Sequence, residues 1–186
     1  MQNKQKTIIG IDPGTQIMGY GVLQINNNKP VLLTLGVIQL KKYLNQNEKL
    51  NKIFSRTLQL IETYKPDELA IEAPFYSVNV QSMLKLGRAQ GVAIAAAMQH
   101  QLEVTEYSPK KIKQSITGNG NASKEQVSAM LGQLLKCDFS KQEFLDATDA
   151  LAVALCHFYQ SKTTITSNAK AKNWADYIKQ NPNKIK

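Results

Sequence analysis

Several residue types that mark other classes of protein are scarce in this sequence. Its 186 residues include two cysteines, Cys137 and Cys156, which have no metal-ligand spacing and fit small core or helix residues in a reducing compartment. The two histidines, His100 and His157, stand far apart in the chain and suggest no role. The sequence therefore gives no sign of a disulfide framework or of a thiolate or imidazole metal centre.

Long hydrophobic runs are also missing. Residues 1–6 lead directly into a strand-like segment without the apolar core of a signal peptide. No apolar run approaches the ~20 residues that are needed to span a bilayer. We therefore expect a cytoplasmic protein that does not enter a membrane.

Acidic residues are few relative to basic ones. There are 23 lysines and arginines against 14 acids, which gives a formal net charge of +9 and a pI near 9.5. Such a balance favours nucleic acid or another polyanion as the partner, because neutralised phosphates supply much of nucleic-acid affinity. The plain alternative is a soluble basic protein with no such partner. The length fits one domain with a sizeable core and a tail.

The hydrophobic pattern predicts an α/β fold. Apolar runs and alternation indicate five strands, and helical periodicity indicates five helices. Because strands come first and then alternate with helices, we expect a mixed five-stranded sheet flanked by helices. The predicted strands are 7–12, 18–25, 31–39, 67–72 and 102–107, and the predicted helices are 46–64, 79–100, 109–116, 123–135 and 143–161.

The composition changes after about Ser161. Residues 161–168 have the composition of a polar linker, and five lysines follow against one acid, Asp176. Trp174, Tyr177 and Ile178 have the spacing of one face of a short helix. We divide the chain into a domain at 1–161 and a basic tail at 162–186, which either contacts DNA, docks on protein or is a loosely ordered terminus.

Four carboxylates lie where predicted elements reach the edge of the sheet. Asp12 and Glu72 each end an apolar strand, and Asp146 and Asp149 are one helical turn apart in an apolar helix. Each has an ordinary explanation, as a turn, a strand end or a charge near a helix start. Together, in a basic chain, they favour ligands for hard divalent cations, such as two Mg²⁺ ions ~4 Å apart. The sequence thus predicts metal-dependent cleavage of nucleic acid.

Motifs along the chain resemble the RuvC family of bacterial Holliday-junction resolvases. The resemblance covers about residues 7–160 in unbroken order. The matching segments are GIDPGT at 10–15, GYGV at 19–22, AIE at 70–72, LKLGRAQGVA at 84–93, EYSP at 106–109, IKQ at 112–114, GNG at 118–120, ASKEQV at 122–127 and DATDALA at 146–152.

This resemblance implies an RNase H-like nuclease domain and a homodimer that cuts two like strands of a four-way junction in recombination and repair. It implies that two Mg²⁺ ions, with Mn²⁺ as a substitute, are held by the four acids Asp12, Glu72, Asp146 and Asp149. It also implies a RuvA–RuvB branch-migration complex as partner.

Basic residues acquire expected roles from the same resemblance. Lys113 and Lys124 match family lysines near the scissile phosphate, where a fixed ammonium would offset developing charge. Lys85 and Arg88 lie one helical turn apart and are expected to meet the DNA backbone. The ordinary alternative for Lys113 and Lys124 is a solvated surface lysine.

The segment after Glu72 departs from the family pattern, which usually has Glu or Gln, then Val, then Phe. Here Ala73 and Pro74 precede Phe75 and Tyr76. Phe75 matches an aromatic residue near the junction centre, so we expect one of the two rings to stack on an unpaired base. Core packing is the alternative for Phe75.

A stripe of small residues at four-residue spacing lies in the predicted helix 79–100. Gly87, Gly91 and Ala95 would permit close approach, either onto the sheet or across a dimer interface, and the family favours the interface.

Two rival functions remain open at this level. Phosphate-binding enzymes of the actin and sugar-kinase type also have strands that end in a Gly-Ile-Asp-x-Gly-Thr motif, but they need two such domains. A structural junction-binding protein would need no acids, and four are present. A nicking assay with Mg²⁺ separates that rival from a nuclease.

Overall fold

A computed structural model describes residues 5–74, 79–139 and 145–167, with side chains through residue 162. Within these residues, five strands form one sheet in the order β3-β2-β1-β4-β5. The β1–β2 and β2–β3 pairs are antiparallel, and the β1–β4 and β4–β5 pairs are parallel. The predicted mixed sheet is confirmed, with every strand end within two residues of its predicted place. The strands are β1 (Lys6–Asp12), β2 (Ile17–Asn26), β3 (Lys29–Gln39), β4 (Glu68–Glu72) and β5 (Glu103–Tyr107).

The first three strands form a meander whose second turn is set by asparagine. Asn27 and Asn28 have φ angles of 52° and 62°, a left-handed conformation that asparagine tolerates better than most residues. They form the two-residue turn between β2 and β3, where both central residues need positive φ. The asparagine run at 26–28 therefore fixes the hairpin locally.

Five helices flank the sheet in the described parts of the chain. Side chains cap several of them, including Asn45 before α1 and Ser123, which forms a capping box with Gln126 at α4. None of these helices combines the length and hydrophobicity that a bilayer crossing requires. The helices are α1 (Gln46–Tyr64), α2 (Val80–Gln99), α3 (Pro109–Thr117), α4 (Lys124–Leu135) and α5 (Leu145–Ser167).

Helix α5 continues six residues beyond its predicted end, so the interpretation of 161–167 as a linker is wrong. The segment contains no proline or glycine that would stop a helix. Lys162 also anchors it, because its Nζ donates to the carbonyl oxygen of Asn28 at 3.1 Å and lies 4.1 Å from the centre of the Phe158 ring. Residues 168–186 lie outside the described residues, and the basic tail stays a prediction.

The two faces of the sheet carry separate hydrophobic cores. Ile9 and Ile11 pack with α1 and α2 on one face. Ile8 points to the opposite face, where α3, α4 and α5 contribute buried residues such as Leu151 and Leu155. This alternation follows from the two-residue period of a strand. The strand ends therefore lie between two helical layers.

Helix α5 approaches the sheet closely because two strand residues are glycines. A Cβ atom at Gly10 would collide with the carbonyl oxygen of Ala150, and one at Gly19 would collide with that of Asp146. A side chain at either position would push the helix away from the sheet. The glycines of the GIDPGT and GYGV motifs thus bring the start of α5 next to the end of β1.

His157 has a structural role that the sequence did not suggest. It is buried on α5, with Nε2 2.6 Å from Glu68 Oε2 and Nδ1 2.8 Å from the hydroxyl oxygen of Tyr107. Lys6 Nζ lies 2.6 Å from the same Glu68 oxygen. These contacts join α5 to β4 and β5 on one face of the sheet.

Candidate active site

The parallel pairing of β1 and β4 places two of the four acids side by side. Ile11 is paired with Ile71, so Asp12 and Glu72, the next residues, leave the sheet at the same edge. Both strands are buried up to these carboxylates. The expectation that two strand-end acids come together is therefore met by the register.

Helix α5 supplies the other two acids to the same edge. Asp149 lines a cleft of about 270 Å³ together with Asp12 and Glu72. Asp146, one turn earlier, does not line the cleft, and its side chain is 47% exposed against 16% for Asp149. The structure thus brings three acids into one cleft and leaves the fourth at its margin.

Burial makes the three cleft carboxylates hard to ionise together. Burial, followed by the charges of Glu72 and Asp149, raises the pKa of Asp12 well above its usual value. Burial and then the charge of Asp149 raise the pKa of Glu72 to about 7. Burial raises the pKa of Asp149 too, although its hydrogen bond with Lys124 acts in the opposite direction. An added cation would relieve this repulsion.

Two lysines complete the cleft, and their expected place near a phosphate stays a prediction. Lys113 on α3 and Lys124 at the start of α4 both line it. The charge of Lys113 favours the ionised forms of Glu72 and Asp149. Lys124 Nζ lies 2.5 Å from Asp149 Oδ2 and 3.6 Å from Asp146 Oδ1. Both lysines therefore lie close enough to the acids to favour their ionised forms.

The ligand type of these acids suits a divalent ion, whereas their side chains are not already arranged around one. Among the residues that the structure describes, no three His, Cys, Asp or Glu side chains are close enough together to ligate one ion as they stand. Yet hard cations prefer carboxylate oxygens, and three partly buried acids with raised pKa values are the groups that such a cation would stabilise.

The remaining predicted residues lie away from the cleft or outside the described residues. Lys85 and Arg88 are exposed on α2 and do not line the cleft. Phe75 and Tyr76 fall in the segment 75–78, which is not among the described residues. Their expected contacts with DNA stay predictions.

A buried glutamine supports the end of β4 from behind, a contact that was not predicted from the sequence. Gln90 on α2 donates from Nε2 to Glu106 Oε2 at 2.8 Å and to the backbone oxygen of Glu72 at 3.4 Å. It is the buried polar residue on a helix face that is otherwise alanine-rich. That polar interruption of an apolar face was the available signal.

Known proteins resemble this chain over nearly its whole length. The family model "Crossover junction endodeoxyribonuclease RuvC" matches residues 8–157. A protein of that name from Porphyromonas gingivalis is 51% identical over 189 aligned positions, covering 100% of both chains. One from Cytophaga hutchinsonii is 54% identical, covering 100% of this chain and 92% of the relative.

The fold matches a solved structure as well. RuvC from Thermus thermophilus, in complex with a Holliday junction substrate, superposes with a TM-score of 0.74 at 29% identity. The match covers 86% of this chain and 97% of that one. The sheet, the helices and the strand-end acids therefore lie within the region that these proteins share.

Proposed function

This chain belongs to the RuvC family of crossover junction endodeoxyribonucleases, metal-dependent enzymes that resolve Holliday junctions, and we propose that its acidic cleft is the cutting site. The observation that carries the proposal is the convergence of Asp12, Glu72 and Asp149 in one cleft with Lys113 and Lys124. A metal-dependent nuclease needs acids to bind the cations, and basic groups beside them can face the phosphate. This cleft offers both at one edge of the sheet.

We assign the four acids to two Mg²⁺ ions, for which Mn²⁺ can substitute. Bound ions of this kind activate a water for attack on the phosphodiester and stabilise the leaving oxygen. Asp12 and Glu72 are fixed by the paired strand ends, and Asp149 by the close packing of α5 on β1. The acids thus have rigid backbones and need adjust only their side chains.

Lys113 and Lys124 offset negative charge at the phosphate. They sit on two different helices, α3 and α4, so they border the cleft from separate positions. An ammonium held there stabilises charge as it develops in the transition state. Lys85 and Arg88, exposed on α2, extend the basic surface along the DNA backbone.

The paired incision of two strands calls for two cleavage sites, and we propose that a second copy of the chain supplies the other. One face of α2 is exposed and apolar, with Val80 57%, Leu84 49% and Met98 65% exposed. Gly87 and Gly91 lie on that face, and a Cβ at either would meet no atom within 4 Å among the parts of the chain that the structure describes. The stripe is therefore unused by the sheet and open to close approach by another α2.

The segment after Glu72 is proposed to enter the junction. Phe75 or Tyr76 would stack on a base where pairing is most easily opened, a contact worth roughly 1–3 kcal/mol per base. Phe75→Ala should then slow junction cleavage with little change in melting temperature. A large fall in melting temperature with normal cleavage by the folded fraction would make Phe75 a core residue.

We further propose that the enzyme acts in the cytoplasm with a RuvA–RuvB branch-migration complex. Family membership is the support for both statements. Co-purification of the chain with RuvA and RuvB from the same cells on junction DNA would test the partnership.

An immobile synthetic junction with each strand labelled in turn tests the function. With Mg²⁺, we expect nicks on two like strands at symmetric positions. With a chelator we expect none, and Ca²⁺ should support binding without turnover because its looser coordination positions the nucleophile poorly. Tight binding with no cleavage in Mg²⁺ or Mn²⁺ would favour a structural junction-binding protein.

A further inference from the structure

One lysine in the acidic cleft contacts two of the acids that we assign as metal ligands. Lys124 Nζ lies 2.5 Å from Asp149 Oδ2 and 3.6 Å from Asp146 Oδ1, between residues one turn apart on α5. The Asp149 carboxylate is largely shielded from water, so its attraction to the ammonium is only weakly screened. In this arrangement, the Lys124 ammonium supplies the positive charge that a metal ion would otherwise bring to these acids.

An ammonium and a divalent ion compete for these carboxylates. The lone pair of Asp149 Oδ2 that accepts the hydrogen bond from Lys124 is not available to an ion. Two positive charges within a few ångströms also repel each other strongly in a site of low polarity. An ion that binds at Asp149 would therefore weaken the contact with the lysine.

We propose that Lys124 is an internal counter-cation, which locks the acid cluster in the metal-free enzyme and is released when divalent ions bind. This inference rests on the proposed metal site and adds a device that controls it. Release frees the ammonium to face the phosphate, so Lys124 becomes available for DNA only once the metal is in place. Metal loading and phosphate contact are thereby coupled.

The local structure lets the side chain move while the helix stays fixed. Lys124 is the first residue of α4, and the capping box of Ser123 with Gln126 holds the backbone there. Val127 and Leu131 of the same helix are buried in the core. The Lys124 side chain itself is 51% exposed against the described residues, so it is not locked in place by core packing. The switch is a change of side-chain rotamer on a rigid element.

Calorimetric titration of Mg²⁺ into chelator-treated, DNA-free protein tests the lock. If the ammonium competes with metal, Lys124→Met should bind Mg²⁺ on the order of tenfold more tightly, a difference of about 1.4 kcal/mol. Lys52→Met removes the same charge from α1, which packs on the other face of the sheet, and should bind as the unmodified protein does. An unchanged or weaker affinity for Lys124→Met would overturn the proposal.

Amine labelling of the unmodified protein gives a second readout that needs no variant. Acetylation followed by mass spectrometry should show Lys124 protected in chelator and several-fold more reactive with Ca²⁺ or Mg²⁺, relative to Lys52. Equal protection in both conditions would contradict release.

A third protein separates failure of the lock from failure of the metal site. If Asp12→Asn loses Mg²⁺ binding while Lys124→Met binds as the unmodified protein, the metal site stands and the lock is wrong. If Asp12→Asn binds Mg²⁺ normally, the ions bind elsewhere and both proposals fall.

Discussion

At the scale of single residues, the acidic cleft is a place where folding and function oppose each other. Asp12, Glu72 and Asp149 lie partly buried in one cleft, and loss of contact with water raises the pKa of all three. Such groups destabilise the folded protein when they ionise, unless a cation neutralises them. The rest of the sheet, with two hydrophobic cores, offsets that cost.

The raised pKa of Glu72 predicts how stability depends on pH. Its pKa rises from an ordinary 4.5 to about 7, so the fold prefers the neutral acid. The stability from this preference is fully present below about pH 4.5 and is lost as the pH rises through about 7. In chelator, urea unfolding should show a falling free energy of unfolding across this range.

The matched variants for this prediction are Glu72→Gln and Glu62→Gln. Glu72→Gln should show a shallower decline with pH, whereas Glu62→Gln, exposed on α1, should follow the unmodified protein. Identical pH profiles for Glu72→Gln and the unmodified protein would show that Glu72 is not the titrating group.

How much of the site the sequence predicted depends on the kind of contact. Asp12 and Glu72 were predictable because each ends an apolar run, and parallel strand ends share an edge. The contact of Lys124 with Asp149 was not, because it depends on the packing of α4 against α5 and on one rotamer. Gln90 was missed because its partners lie on other elements, which a local pattern does not reveal.

At the scale of elements, α2 has two faces with different tasks. Its buried face, with Ala89, Ala93 and Ala97, packs on the sheet. Its exposed face carries the glycine and apolar stripe that we assign to the dimer. Gln90 joins the buried face to the end of β4. The same helix therefore supports the end of β4, which carries Glu72, and presents the proposed interface.

Gly91→Leu tests the interface. A Cβ atom at Gly91 would meet no atom of the described residues within 4 Å, so we expect the fold to tolerate a side chain there, and helix propensity improves by up to about 1 kcal/mol. The added bulk should block close approach of two α2 helices. We expect Gly91→Leu to sediment as a monomer at micromolar concentration. Its melting temperature should be no lower than that of the unmodified protein, and its paired incision of junctions should be weaker.

Ser55→Leu adds the same side chain to an exposed position on α1 and should leave association unchanged. A dimeric Gly91→Leu, or a monomeric unmodified protein at this concentration, would count against an interface through α2.

Helix α5 shows where element prediction from sequence fails. The apolar first part of α5 is predictable as a helix, but the polar composition of residues 161–167 predicts a linker. A polar composition does not end a helix unless glycine, proline or a competing cap is present. The contact of Lys162 with the β2–β3 turn, 134 residues earlier in the chain, could not be read from the local sequence.

At the scale of the whole molecule, a basic chain carries an acidic cleft, and the two features have different tasks. The chain carries a net +9, which attracts DNA, while Asp12, Glu72 and Asp149 place negative charge in a cleft at one edge of the sheet. Cations bound at these acids would reverse the local sign in the cleft that we propose as the cutting site. On this proposal, the basic surface supplies affinity and the acidic cleft supplies cutting.

Removal of residues 168–186 tests whether the tail adds to that surface. The segment carries five lysines and one acid, Asp176. If it contacts DNA, the slope of log affinity against log salt should become shallower by roughly 0.9 for each phosphate contact that is lost. Binding is measured in Ca²⁺ across a salt series, and α5 stays whole because it ends at Ser167. An unchanged slope would leave the tail as a protein-docking or loosely ordered segment.

The assignment of the acidic cleft as the cutting site is best tested by the single-turnover rate of Asp12→Asn on an immobile four-way junction. This change removes one negative charge from the cleft and alters its shape little. We predict that cleavage in Mg²⁺ falls on the order of a thousandfold or more, while junction affinity stays within a few-fold. Asp67→Asn, which lies at the opposite end of the sheet beside Thr7, should cut normally. Cleavage by Asp12→Asn at nearly the unmodified rate would contradict the assignment of the acidic cleft as the cutting site.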